Sequence, residues 1–210
     1  MPTFEFHFGA QVISDDGRLV GTLESLIVEQ EGFDPHSIVV KEDDGFAGRR
    51  FAPGSWYFHD KVLVPVKAIA HATPENIQLL ISSGEVRRLS PYLSYRYRQL
   101  DAGEVGRTFA ALAGSGIATP NVDEIPAKAA DELEVTRDEN VMLGHAGRKL
   151  GQVRQVLVED GELIGIVMHP HGLFTRDVIV PTRFLQRSDD LALFVDLSEE
   201  DLERLKLFES

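Results

Sequence analysis

Cysteine is absent from the 210-residue sequence. Its absence excludes disulfide bonds, thiolate nucleophiles and thiolate metal ligands, and it is typical of proteins that work in a reducing compartment. No stretch approaches the roughly 20 consecutive apolar residues that a membrane-spanning helix requires. Residues 1–8 alternate in polarity as a strand does and lack the apolar core of a secretion signal. We therefore expect a cytoplasmic protein without a membrane span.

Basic residues are scarce. The chain has 21 lysines and arginines against 34 aspartates and glutamates, which gives a formal net charge of −13. A negatively charged surface repels phosphate backbones and anionic lipid headgroups. Direct binding of nucleic acid is therefore not expected, and basic partners or cations are favoured.

The short motifs that carry catalytic chemistry are also missing. The sequence has no Gly-x-x-x-x-Gly-Lys phosphate loop, no Gly-x-Gly-x-x-Gly, no Gly-x-Ser-x-Gly and no His-Glu-x-x-His. We expect a non-catalytic protein without a bound cofactor.

A segment near the start of the chain recurs later at an offset of 130 positions. Gly17-Arg18-Leu19-Val20-Gly21 aligns with Gly147-Arg148-Lys149-Leu150-Gly151. The first glycine of each segment is predicted to take a positive φ in a hairpin turn. The second is predicted to open the next strand at a barrel corner, where a side chain would crowd its neighbours. The same offset pairs these apolar positions: Val12 with Met142, Leu23 with Val153, Leu26 with Val156 and Val28 with Val158.

The later parts of the two copies also match. Val64-Pro65 aligns with Val180-Pro181 at an offset of 116, so the first copy carries an insertion within residues 42–61. A strand with alternating apolar residues follows in each copy, at 77–81 and at 191–195.

Each copy is then predicted to end in a short helix capped by a serine hydroxyl, Ser82 in the first and Ser198 in the second. Leu202, Leu205 and Phe208 are expected to share one face of the last helix. That face would form a lid over the open end of the barrel or, alternatively, bind a partner.

These patterns predict a mainly β protein made of two tandem small β-barrels, each followed by a short helix. Domain 1 spans residues 1–95 and domain 2 spans residues 135–210. Residues 96–134 are rich in alanine, glycine and polar residues and are predicted to be a flexible linker.

The order of these motifs resembles the PRC-barrel family. The first copy carries the motifs Gly9-x-x-Val12, Asp15-Asp16-Gly17, Gly21 and Val64-Pro65-x-x-Ala68-Ile69. The second copy carries Asn140-Val141-Met142, Ala146-Gly147 and Val180-Pro181-x-x-Phe184-Leu185. The resemblance covers residues 6–92 and 138–208, which implies two tandem copies of this domain.

The family is named for the cytoplasmic domain of the reaction-centre H subunit, and it also supplies the C-terminal domain of a ribosome maturation factor. In both settings the barrel is an adaptor. The resemblance therefore implies a module for protein interaction, with no catalytic residues.

Two equivalent loops are the predicted partner surface. Aromatic and arginine side chains supply most of the binding energy at protein interfaces. The predicted partner-binding residues are Arg49, Arg50, Phe51, Trp56 and Tyr57 in the first loop and Phe174 in the second. The alternative is that the aromatic residues fold back into the barrel. The protein partner is not identified by these patterns, and a homodimer is one of the expected arrangements.

Histidines offer a second functional hypothesis. His169 and His171 stand one residue apart, so both imidazoles can reach one ion, and His145 or Asp177 can complete the site. On this hypothesis the protein binds a metal or a small ligand at this loop.

Overall fold

The structure is a computed structural model, and it describes residues 3–47, 61–97, 122–144, 147–159, 161–171, 176–189 and 192–208. In chain order, the strands of the first half are β1 (Thr3–His7), β2 (Gln11–Ile13), β3 (Leu19–Glu29), β4 (Pro35–Glu42), β5 (Lys61–Pro65), β6 (Ile69–Ala72), β7 (Asn76–Leu79) and β8 (Leu93–Tyr97). Those of the second half are β9 (Val122–Pro126), β10 (Glu132–Thr136), β11 (Asn140–Leu143), β12 (Arg148–Glu159), β13 (Glu162–Pro170), β14 (Val178–Pro181), β15 (Leu185–Asp189), β16 (Ala192–Val195) and β17 (Lys206–Leu207). The short helices are α1 (Asp44–Ala47), α2 (Ser83–Val86) and α3 (Glu199–Arg204).

The two repeats form sheets with the same strand order. The first sheet runs β5-β4-β3-β2-β7-β6 and the second runs β14-β13-β12-β11-β16-β15. In each, the opening strand pairs antiparallel with the long strand that follows it and parallel with the closing strand, as β2 does with β3 and β7 and β11 does with β12 and β16. The prediction of a mainly β fold built from two small sheet domains, each followed by a short helix, is confirmed. Among the described strands the ladders leave each sheet open between its outermost members, so the hydrogen bonds do not close a cylinder there.

The first strand of each repeat lies in the sheet of the other repeat. β1 pairs antiparallel with β12, and Phe6 lies opposite Val156. β10 pairs antiparallel with β3, and Val135 lies opposite Leu26. Leu26 and Val156 are equivalent positions of the repeats, so the exchange is reciprocal and has the same register on both sides.

Short connections follow both exchanged strands. Residues 8–10 separate β1 from β2, and residues 137–139 separate β10 from β11. Gly9 has φ +91° and Asp138 has φ +64° at equivalent points of these connections. The Gly9 amide donates to the Leu23 carbonyl at 2.8 Å, and the Asp138 amide donates to the Val153 carbonyl at 2.9 Å. Both connections therefore make the same turn from one sheet into the other.

One hydrophobic core serves both repeats. Its buried residues include Phe6 and Val156 from the β1–β12 pair and Leu26 and Val135 from the β3–β10 pair. The predicted boundaries at residues 95 and 135 remain a division of the sequence into repeats. The structure adds that β1, in the first division, lies in the second sheet, and that β10 spans the boundary at residue 135 and lies in the first sheet.

Part of the predicted flexible linker is paired. β9 and the first residues of β10 fall within residues 96–134, and β9 pairs with β8 so that Val122 lies opposite Tyr97. The Ala127 amide also donates to the Tyr92 carbonyl at 2.6 Å. Backbone pairing gives this segment its order although its composition offers little apolar surface. The structure thus places these residues of the predicted linker in antiparallel ladders.

Glycine at the two predicted corners is explained by close backbone approach. A Cβ on Gly21 would overlap the Lys41 carbonyl, and a Cβ on Gly151 would overlap the His169 carbonyl. Each glycine belongs to a β-bulge, because the register leaves one extra residue beside it, Val20 on β3 and Leu150 on β12. The predicted crowding at both corners is confirmed.

The alignment of the opening strands is wrong by one residue. Val12 lies opposite Gly21, whereas Val141 lies opposite Gly151, so Val141 rather than Met142 is the equivalent of Val12. The hairpin of the second repeat is longer by one residue, and a shift of one residue reverses the face on which a side chain lies.

The hairpin glycines also differ between the repeats. Gly17 takes φ +76°, as predicted. In the second repeat Gly144 takes the positive φ, at +62°, rather than Gly147, where a Cβ would instead overlap the Leu143 carbonyl. The prediction for Gly147 is therefore wrong.

Both predicted helix caps form. The Ser82 hydroxyl accepts from the Glu85 amide while the Glu85 carboxylate accepts from the Ser82 amide, and Ser198 with Asp201 forms the same reciprocal box. The predicted helical face of the last segment is wrong, because α3 ends before Leu205 and the chain returns to extended structure. The Phe208 amide donates to the Asp177 carbonyl at 2.8 Å, next to the pairing of β17 with β14.

We predict that Gly21→Ala destabilises the whole molecule. The methyl group must displace the Lys41 carbonyl, and overpacking of this kind costs about 3 kcal/mol. The melting temperature should fall by roughly 6–12 °C in calorimetry. Gly84→Ala is the control, because the nearest atom to its Cβ is the Ser82 hydroxyl at 4.0 Å, and alanine in a helix gains about 1 kcal/mol. Equal melting temperatures for the two variants would contradict the prediction.

Candidate functional site

His169 and Asp177 meet between the end of β13 and the start of β14. The His169 Nδ1 atom lies 2.7 Å from the Asp177 Oδ1 atom, and the two side chains are 40% and 34% exposed. Main-chain bonds hold both segments, because the His171 amide donates to the Leu150 carbonyl and the Phe208 amide donates to the Asp177 carbonyl. The Asp177 carboxylate can therefore orient the imidazole ring through its Nδ1 atom and leave Nε2 for another partner.

The structure thus brings together part of the predicted metal set. His169 contacts Asp177, while His171 follows on the same segment and is exposed. His145 lies outside the described residues. Within the described ranges, no three histidine or carboxylate side chains come close enough together to hold a metal ion.

The first repeat has lysines at the positions that correspond to His169 and Asp177. Lys41 lies opposite Thr22 as His169 lies opposite Gln152, and Lys41 pairs with Lys61 at the start of β5. The Lys61 ammonium lies 2.8 Å from a Glu24 carboxylate oxygen. The histidine–carboxylate pair is therefore a property of the second repeat rather than of the shared fold.

The predicted partner-binding residues lie outside the described ranges. Arg49, Arg50, Phe51, Trp56 and Tyr57 fall between Ala47 and Lys61, and Phe174 falls between His171 and Arg176. Their places of attachment are described, since the first loop joins β4 to β5 and the second joins β13 to β14. These strand pairs are equivalent in the two sheets, so both loops leave the fold at the same point of the repeat.

The first loop begins with an aromatic residue that belongs to the core. Phe46 is 4% exposed and packs in the shared hydrophobic cluster. Arg87 donates to its carbonyl at 3.1 Å and places its guanidinium 5.0 Å from the ring centroid. The alternative that loop aromatics fold inward therefore holds for Phe46.

Two buried serines, Ser14 and Ser83, donate hydrogen bonds to Asp16 in the first hairpin. The Asp16 carboxylate accepts from the Ser14 hydroxyl at 2.7 Å and from the amide and hydroxyl of Ser83 at 2.8 and 2.6 Å. The hydrogen bonds from Ser83, followed by that from Ser14, hold the pKa of Asp16 well below its ordinary value. The carboxylate thereby ties the β2–β3 turn to the start of α2. The Asp-Gly turn signal located Asp16, but its partner is 67 positions away in sequence, beyond the reach of a local pattern.

The carboxylate of Glu134 joins the exchanged strand β10 to residues of the first repeat. Glu134 accepts from the Ser25 hydroxyl and from the Tyr92 hydroxyl, each at 2.5 Å. Ser25 is fully buried and Tyr92 is 2% exposed. Glu134 falls in the predicted linker, and no sequence signal joined it to Ser25 or Tyr92 because strand exchange creates these contacts.

Comparison with known proteins supports the fold of the first repeat. The family model of the PRC-barrel domain matches residues 8–87. No curated protein matches the chain. Among the described residues there is no helix with the length and apolar character needed to cross a membrane.

We predict that Asp16→Asn lowers stability at neutral pH. Asparagine has one acceptor oxygen, whereas Asp16 uses both of its oxygens. Because the folded-state pKa of Asp16 is depressed, its contribution is complete above the unfolded-state pKa, near 3.9, and is lost as the pH falls toward the folded value. Urea midpoints should therefore differ most between wild type and variant at pH 7 and converge below about pH 4.

Asp15→Asn is the matched control for this prediction. It removes one charge from the same turn, but its exposed carboxylate takes no part in the hydrogen bonds to Ser14 and Ser83. Its urea midpoint should stay near that of wild type at every pH. A gap between Asp16→Asn and wild type that is independent of pH would contradict the assigned role.

Proposed function

We propose that the protein is a non-catalytic adaptor in which two PRC-type repeats present a pair of loops to a protein partner. The family match supports this assignment for residues 8–87. For the second repeat the support is the identical strand order, β14-β13-β12-β11-β16-β15 against β5-β4-β3-β2-β7-β6. A second copy of the chain is one admissible partner.

The observation that carries the proposal is the reciprocal exchange of β1 and β10. An adaptor must hold its contact loops in a fixed relation, since each residue left mobile adds an entropic cost to binding. Exchange and a shared core provide such a frame. The β4–β5 and β13–β14 loops leave it at equivalent points and carry the aromatic and arginine residues that interfaces favour.

Charge favours a basic partner. The net charge of −13 speeds association with a positively charged surface and disfavours polyanions. Binding should therefore weaken as the ionic strength rises.

We predict that Trp56→Ala lowers recovery of the partner that wild type captures from its native cell by roughly 30-fold, the effect of losing a 2 kcal/mol hot spot. Quantitative mass spectrometry of the captured protein gives the measurement. Leu80→Ala is the control, since Leu80 is 60% exposed and lies outside both loops. Calorimetry should give unchanged melting temperatures for both variants. A collapse of stability in Trp56→Ala, or undiminished capture, would show that the loop is not the partner surface.

A metal or small ligand at His169 and His171 is the second candidate. It is favoured by the 2.7 Å contact between His169 and Asp177, because a carboxylate bonded to one ring nitrogen orients the other toward a metal. His145 would supply a further nitrogen ligand.

For this candidate we predict that zinc binds with micromolar affinity and that His169→Ala or His171→Ala weakens binding at least 10-fold. Isothermal titration calorimetry with zinc alone gives the measurement. His71→Ala is the control, because His71 is an exposed histidine on β6 of the first sheet. The absence of heat at micromolar zinc, or equal titrations for all three variants, would eliminate the metal site.

A further inference from the structure

The two exchanged strands have equivalent positions but unequal side-chain anchors. Glu134 of β10 bonds the buried hydroxyls of Ser25 and Tyr92 in the first repeat. The Oε1 atom of Glu132, on the same strand, lies 3.1 Å from the Nδ1 atom of His36 on β4. The chain also continues on both sides of β10, and the Gln30 amide donates to the Asp131 carbonyl just before it. β10 is thus fixed by its ladder and by side chains.

The carboxylate of β1 at the position of Glu134 makes a different contact. Glu5 stands at the position of Glu134, since it lies opposite Leu157 as Glu134 lies opposite Ile27. Its carboxylate contacts only the imidazole of its own strand in the described structure, with His7 Nε2 at 3.4 Å.

A buried donor beside β1 is unsatisfied. Gln155 occupies the place of Ser25, because it lies opposite His7 as Ser25 lies opposite Thr136. It is only 4% exposed, yet its Nε2 atom has no hydrogen-bond partner among the described residues. A buried unpaired amide costs free energy, and a strand whose side chain accepted from it would bind better than β1, whose Glu5 carboxylate contacts His7 instead.

Release of β1 would expose a defined acceptor. Residues 155–159 of β12 would lose β1 as a ladder partner and keep β13 on their other side. A strand edge left unpaired in this way readily accepts an extended segment. The site that Phe6 fills in the core, where this side chain is fully buried, would open beside it. The acceptor therefore combines backbone donors and acceptors with one aromatic pocket and one amide donor.

We propose that β1 is a releasable strand and that the β12 edge at residues 155–159 is a second binding surface, which takes an extended peptide from a partner by strand addition. The peptide carries an aromatic residue at the Phe6 position and, one residue before it, an acceptor long enough to reach Gln155 Nε2. This surface is separate from the two loops of the proposed adaptor function, and it deepens that function by naming the partner's conformation. The edge of β3 does not serve in this way because Glu134 holds β10 to Ser25 and Tyr92.

Hydrogen exchange tests the release of β1. The β1–β12 ladder, residues 3–7 with 155–159, should exchange at least 10-fold faster than the equivalent β10–β3 ladder, residues 132–136 with 25–29. The two ladders have the same register, so each is the internal control of the other. Equal protection, or greater protection of the β1 ladder, would overturn the proposal.

Peptide binding tests the acceptor. A fluorescent peptide of residues 3–8 should bind the full chain, and binding should tighten about 10-fold in Phe6→Ala, because the apparent affinity scales with the fraction of open acceptor. Peptides with the sequence of residues 132–137, or with Phe6→Asp, should not bind. Fluorescence anisotropy gives the measurement, and circular dichroism checks that Phe6→Ala is folded. Equal binding of all peptides, or of none, would refute the acceptor.

Peptide binding and capture of the cellular partner test separate surfaces, the β12 edge and the loops. Trp56→Ala should bind the peptide of residues 3–8 as wild type does, since the loop takes no part in strand addition. Loss of peptide binding in Trp56→Ala would refute a separate surface. Intact peptide binding with undiminished capture of the cellular partner would instead refute the loop proposal alone.

Discussion

The reciprocal exchange of first strands is the constraint on which the rest of the structure depends. Three residues connect each exchanged strand to the strand that follows it, at 8–10 and at 137–139. So short a connection cannot separate two sheets, and the two repeats are therefore held side by side by covalent geometry. Gly9 and Asp138 make this possible by turning through positive φ. Glycine does so freely, and aspartate is one of the few other residues that tolerate it.

Sharing a core changes the energetics of both repeats. A domain of some 80 residues buries a small fraction of its surface and is marginal by itself. Exchange lets Phe6 complete the second repeat while Val135 completes the first, and both are buried in one cluster. Destabilisation in either half should therefore spread to the other, which is the behaviour expected of a single cooperative unit.

The repeats keep one backbone plan but assign different side chains to equivalent places. Lys41 and Lys61 of the first sheet correspond to His169 and Asp177 of the second. Ser25, which bonds Glu134, corresponds to Gln155, whose amide nitrogen is unpaired within the described residues. The fold fixes where these positions lie, and their differences give the two halves separate chemistry, as expected when function resides in sites rather than folds.

Local signals in the sequence determined the strands, the corners and the caps. Gly21, Gly151, Ser82 and Ser198 act through neighbours that lie within one turn or one ladder, so spacing and residue type were enough to predict them. A pattern of this kind cannot count residues across a hairpin, which is why Met142 was aligned in place of Val141. Only the tertiary structure decided which sheet receives β1 and β10, because antiparallel pairing has the same alternation whether the partner strand is near or distant in sequence. The contacts of Glu134 with Ser25 and Tyr92 follow from that choice. The contact of Asp16 with Ser83 lies within the first repeat, but it too joins segments that come together only after the chain has folded.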